Sequence, residues 1–144
     1  MLNKLLRLPA SDVWLLCESA VLLLVIRAGL SMISFNTILS KTSRHLSSDA
    51  TPAPRGLEKV VWSVECIAAR LPIVRNCLTK ALVAKWLLDR RGYCTQLRIG
   101  VKKAEQGQLE AHAWIERGPA IIIGGPRSVT QSYQLLAGSA QVYL

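Results

Sequence analysis

The sequence predicts an α+β protein in which helices come first and a small antiparallel meander follows. Three observations carry that expectation. Apolar residues recur at helical spacing as far as Leu88, they alternate with polar ones from Leu97 onward, and the changeover falls at Arg90-Arg91-Gly92, where basic residues and a glycine suit a helix C-terminus. A chain of 144 residues suits one compact domain with a small helical appendage, so a single active site is expected.

Residues 1 to about 46 hold no proline but Pro9 and no glycine but Gly29, and their leucine-rich pattern favours helix. Ser11 and Asp12 can cap the helix that carries Val13, Leu15, Leu16 and Leu22. The apolar run Val21-Leu22-Leu23-Leu24-Val25-Ile26 is interrupted on either side by Glu18 and Arg27. A membrane span needs about 20 mostly apolar residues and central charges are costly, so residues 13 to 35 read as a buried or interfacial helix pair, with peripheral membrane contact left open. The stretch Ser47 to Gly56, with Pro52 and Pro54, has the composition of a linker. It divides an N-terminal helical segment with linker, residues 1 to 55, from the main domain, residues 56 to 144.

Val60, Val61, Val64, Ile67 and Ala68 predict a helix from Leu57 to about Ala69, which Leu71-Pro72 ends. After a connection from Ile73 to Asn76, Cys77 opens another helix whose apolar face of Leu78, Ala81, Leu82 and Leu88 is interrupted by Lys85. Leu97, Ile99 and Val101 predict a first strand, and Lys102 to Gln108 a turn. Leu109 to Glu116 follows as a second strand, and beyond the Arg117-Gly118-Pro119 turn Ala120 to Ile123 makes a third.

Composition narrows the function. The hydrophobic share of 51% and mean hydropathy of +0.29 imply a generous core or apolar surface that meets a partner or a membrane. The net charge of +9 suits an acidic peptide, an anionic surface or nucleic acid. The basic residues are scattered or fall in short pairs without interleaved aromatics, which argues against nucleic acid. Cys17, Cys66, Cys77 and Cys94 form no CxxC pair and no cluster with histidine, so no zinc site is expected. The N-terminus lacks the pattern of a secretory signal, which points to the reducing cytoplasm and free thiols.

One of those thiols stands apart. Cys77 is predicted at a helix N-terminus, where unpaired backbone N–H groups and the macrodipole favour a thiolate, and Arg75 adds positive charge. The N–H groups of Cys77 and Leu78 can also hold a developing oxyanion. Cys17, Cys66 and Cys94 read as small packing residues. Of the two histidines, His45 lies by the linker, whereas His112 is centred in Glu110-Ala111-His112-Ala113-Trp114-Ile115-Glu116, flanked by small residues on a strand. Trp114 shares its face, where it either packs or lines a substrate cleft, and Glu110 and Glu116 read as solvated strand ends.

Asn76-Cys77-Leu78, the helix through Ala81, the strand Leu97-Arg98-Ile99-Gly100-Val101 and the run Ala111 to Glu116 together resemble the transglutaminase-like leader peptidases of lasso-peptide biosynthesis. The likeness covers about residues 57 to 126, and the leucine-rich helical N-terminus is similar too. It implies a papain- or transglutaminase-like core, a catalytic helix packed on a small antiparallel sheet. It also implies a cysteine peptidase with Cys77 as nucleophile, His112 as base and no metal or organic cofactor. The implied partners are a precursor peptide, a separate leader-binding protein and an ATP-dependent macrolactam synthetase.

The sequence departs from that pattern at the third catalytic position. Where the resemblance implies a carboxylate on the next strand, the chain reads Ile121-Ile122-Ile123-Gly124-Gly125, and no Asp or Glu occurs after Glu116. Glu116 lies about 13 Å along an extended strand from His112 at roughly 3.3 Å per residue. A backbone carbonyl near Gly124 can serve instead, or the Cys–His pair can act alone. Two other readings stay open: a binding scaffold that has lost catalysis, and an acyl transferase that uses an amine in place of water.

Overall fold

The computed structural model describes residues 9–32, 54–72, 76–104 and 107–136. Among them, helices α1 (Ala10–Met32), α2 (Pro54–Arg70) and α3 (Cys77–Asp89) precede strands β1 (Gln96–Lys103), β2 (Leu109–Arg117) and β3 (Ala120–Ile123). A short helix α4 (Arg127–Thr130) and a two-residue strand β4 (Gln134–Leu135) follow. The architecture is α+β, consistent with a transglutaminase-like core.

The N-terminal region corrects the expected helix pair, because α1 is one uninterrupted helix of 23 residues. It starts after Pro9, whose carbonyl accepts from the N–H groups of Asp12 and Val13, so Ser11 and Asp12 lie inside the helix rather than capping it. Gly29 does not break it, since an isolated glycine costs only about 1 kcal/mol against alanine. The charges that interrupt its apolar pattern are used in helix packing. Asp12 pairs with Lys59 at 2.6 Å, and Glu18 pairs with Arg91 at 2.9 Å and Arg90 at 3.5 Å. Between them Ser19 Oγ meets Ser63 Oγ at 2.8 Å, and Ser63 donates to Val60 O. From Asp12–Lys59 to Ser19–Ser63 the contacts advance together along both helices, so α1 and α2 run in the same general direction.

The inner sides of the three helices and one face of the sheet build a single core. Leu15 and Leu23 of α1, Val60 and Val64 of α2 and Leu82, Val83 and Leu87 of α3 pack with Leu97, Ala113, Ile115 and Ile123. The boundary expected at residues 55 and 56 falls inside α2, whose Pro54 takes the first helical position, where its missing N–H costs nothing. The outer side of α1 is different: Val13, Trp14, Val21, Leu24 and Val25 are exposed. By length and composition the stretch Ala10–Leu30 is apolar enough to cross a membrane.

Helix α3 stops where the sequence places its end. Gly92 adopts φ 78°, and the N–H groups of Gly92 and Tyr93 return to Asp89 O and Leu88 O, which closes the last turn. Lys85 is buried but ion-paired with Asp89 at 2.6 Å, one turn along. The strands lie in the order β3-β2-β1-β4, all antiparallel. The sequence does not mark α4 and β4, which are too short to show a period.

Candidate active site

Cys77 is the first residue of α3. Asn76 before it has φ −59° and ψ 132°, and its side chain makes no capping bond. Among the described residues no side chain caps the first-turn N–H groups, which favours an anion at the helix end. Cys77 is half-buried against the core. Arg75 and His45 lie outside the described residues.

His112 sits mid-strand on β2, opposite Gly100 of β1. Its Nε2 is 2.6 Å from the carbonyl oxygen of Gly124. A carbonyl can only accept, so Nε2 carries the proton and Nδ1 is the bare, basic nitrogen of the neutral ring. Gly124 has φ +115°, and a Cβ there would stand 2.8 Å from Trp114 Cα, so glycine is required both by conformation and by space.

Trp114 is 3% exposed. Its ring stacks on His112 with centroids 5.9 Å apart and planes 23° apart, and its Nε1 donates to Glu116 Oε1 at 2.8 Å. Of the two readings open for Trp114, packing and lining a cleft, its burial matches packing, with the indole against His112 and bonded to Glu116. Glu116, read as a solvated strand end, also accepts from Arg98 Nε at 3.1 Å.

Sequence reasoning missed Tyr133, a lone aromatic in a polar stretch with no period to single it out. It is buried, and its ring lies 5.1 Å from that of His112, tilted by 30°. Its hydroxyl donates to Glu110 Oε1 at 2.9 Å, and Glu110 Oε2 pairs with Lys102 at 3.1 Å. Lys102 Nζ also stands 4.7 Å from the centre of the Tyr133 ring. The hydrogen bond from Lys102, then that from Tyr133, holds the Glu110 carboxyl below its ordinary range. Its bonds to Glu110 and then Tyr133 push Lys102 above its own.

The pleat of β2 sorts these groups by face. Ala113 and Ile115 point into the core with α3, whereas His112 and Trp114 point to the opposite face. Among the described residues no hydrogen bond joins Cys77 to His112, and His112 Nδ1 has no partner. The structure therefore brings His112, Trp114, Gly124 and Tyr133 together and leaves Cys77 outside that cluster. Of the other thiols, Cys17 and Cys94 are exposed, which corrects their reading as packing residues. Cys66 is half-buried and accepts from Arg70 Nη1 at 2.7 Å.

The profile of the Transglutaminase-like superfamily (Transglut_core3) matches residues 20–137. That match spans most of the chain, from within α1 to just beyond β4, and the chain belongs to this superfamily. Its members are generally cysteine-protease-like enzymes. No curated protein and no solved structure matches the chain.

Proposed function

We propose that the protein is a cysteine peptidase that removes the leader from a lasso-peptide precursor, with Cys77 as nucleophile and His112 as base. The observation that carries this reading is the bond from His112 Nε2 to Gly124 O. It fixes the tautomer a base needs, with Nδ1 bare, and supplies by main chain the orienting acceptor for which no carboxylate is present.

In the proposed reaction Cys77 Sγ passes its proton to His112 Nδ1 and attacks the scissile carbonyl. The first-turn N–H groups of α3 receive the oxyanion. The imidazolium then gives its Nδ1 proton to the leaving amine as the C–N bond breaks, which leaves a thioester. Water attacks that thioester, its proton goes to Nδ1, and the proton returns to sulfur as the acid departs. The reaction requires Cys77 and His112, which share no hydrogen bond among the described residues, to come within reach of each other when the substrate binds.

The net charge of +9 suits steering of an acidic leader or of the leader-binding protein that presents it. A macrolactam synthetase would take the freed core peptide. We place the reaction in the cytoplasm, with the apolar outer side of α1 as the contact for a membrane surface.

A second reading has an observation in its favour. The absence of a hydrogen bond between Cys77 and His112 among the described residues suits a peptide-binding scaffold. Mass spectrometry of a precursor incubated with the protein and its leader-binding partner separates the readings. Cleavage at one junction, abolished by both Cys77→Ala and His112→Ala, is the outcome the peptidase requires. An intact peptide bound equally by all three proteins establishes the scaffold, and a product joined to an added amine establishes acyl transfer.

A further inference from the structure

One hydrogen bond at Nε2 anchors a single atom of the His112 ring and leaves the ring free to tilt about it. Two neighbouring rings limit that freedom, Trp114 with its centroid 5.9 Å away and Tyr133 with its centroid 5.1 Å away. Gly100, the cross-strand partner of His112, makes the approach possible, since a Cβ there would stand 2.7 Å from Tyr133 Cβ and 3.1 Å from Trp114 Cη2. Trp114 is built into the same strand as the histidine. Tyr133 is not: it lies between α4 and β4, in a segment joined to β1 by only two residue pairs. What secures it is the bond of its hydroxyl to Glu110 Oε1. Glu110 lies two residues from His112 on the same face of β2, and Lys102, its cross-strand partner, holds its other oxygen.

We propose that Tyr133, secured by Glu110 and Lys102, is a positioning residue that holds the His112 imidazole at one tilt about its bond to Gly124 O. This rests on the reading of His112 as the base. Tyr133 touches neither substrate nor the reacting atoms. With Gly124 O it divides the task of the absent carboxylate: the carbonyl sets the tautomer, and the tyrosine ring sets the tilt.

The test uses the full chain with histidine labelled in its ring nitrogens, the native protein beside Tyr133→Leu, Tyr133→Phe and Glu110→Gln. In the native protein NMR is expected to show one neutral tautomer of His112, protonated at Nε2 and slow to exchange that proton. Tyr133→Leu should give mixed tautomers and faster exchange, and should lower kcat for precursor cleavage on the order of tenfold to a hundredfold with KM unchanged, as misplacement of a reacting group does. Tyr133→Phe, which keeps the ring but loses the hydroxyl bond to Glu110, should fall between the native protein and Tyr133→Leu in both. A folded Tyr133→Leu protein with native tautomer and exchange overturns the inference. If that variant does not fold, Glu110→Gln decides, since native exchange there overturns it equally. Failure of the peptidase reading looks different: the native protein cleaves nothing, while the tautomer measurements still report on Tyr133.

Discussion

At the scale of single residues, the site depends on a glycine that contributes only its backbone. Gly124→Ala would force a side chain into a positive-φ position and against Trp114. Strain and overpacking together are expected to cost about 2–5 kcal/mol, read as a lower urea midpoint with unchanged slope. The same change displaces the carbonyl from His112, so cleavage should fall further than the loss of stability accounts for. How much of this was legible differs from residue to residue. Cys77 and His112 stood out because a helix start and a strand centre are local properties that spacing reveals. The main-chain acceptor near Gly124 was foreseeable from the lack of any later carboxylate. Tyr133 was invisible, since its position depends on a hydrogen bond to a residue 23 positions away. For Trp114 the alternation of the strand gave the face it shares with His112 and left its depth open.

At the scale of elements, α1 supplies a paired test. Leu23 is fully buried and Leu24, the next residue, is half exposed. Leu23→Ala is expected to cost about 2–5 kcal/mol, whereas Leu24→Glu should stay within about 0.5 kcal/mol in thermal unfolding, as exposed substitutions do. The helical period of α1 was readable; which side it buries was not, because both sides are apolar and ion pairs to α2 and α3 decide. The Lys102, Glu110 and Tyr133 link joins β1, β2 and the approach to β4, and its pH dependence follows from the direction of each shift. The Glu110 carboxyl is held low, so the link is complete above the ordinary carboxylate range and is lost as pH falls through the lowered folded value. Lys102 is held high, so its share is lost only as pH rises through its raised value. NMR contacts between the Tyr133 and His112 rings should accordingly persist at neutral pH and fade in acid, and Glu110→Gln, which cannot hold Lys102 as an ion pair, should weaken them at every pH.

At the scale of the whole molecule, helices and sheet share one core, so the described parts should unfold in one cooperative transition. Fluorescence of Trp14 on α1 and of Trp114 on β2, each read in a variant whose other tryptophans are replaced by phenylalanine, is expected to give coincident midpoints, and two separated transitions would support a division at residues 55 and 56. The order of helices and strands was legible because period changes mark it. The sheet order was not fully so, because β4 reaches β1 from the far end of the chain through two residue pairs. The carbonyl of Gly124 also bears on inheritance. A catalytic aspartate is lost by one substitution of its side chain, but a main-chain oxygen belongs to every amino acid and disappears only when the backbone moves. In such a lineage the letter at the third catalytic position is a poor guide to whether the machinery survives, and the shape of the turn is the trait that selection sees.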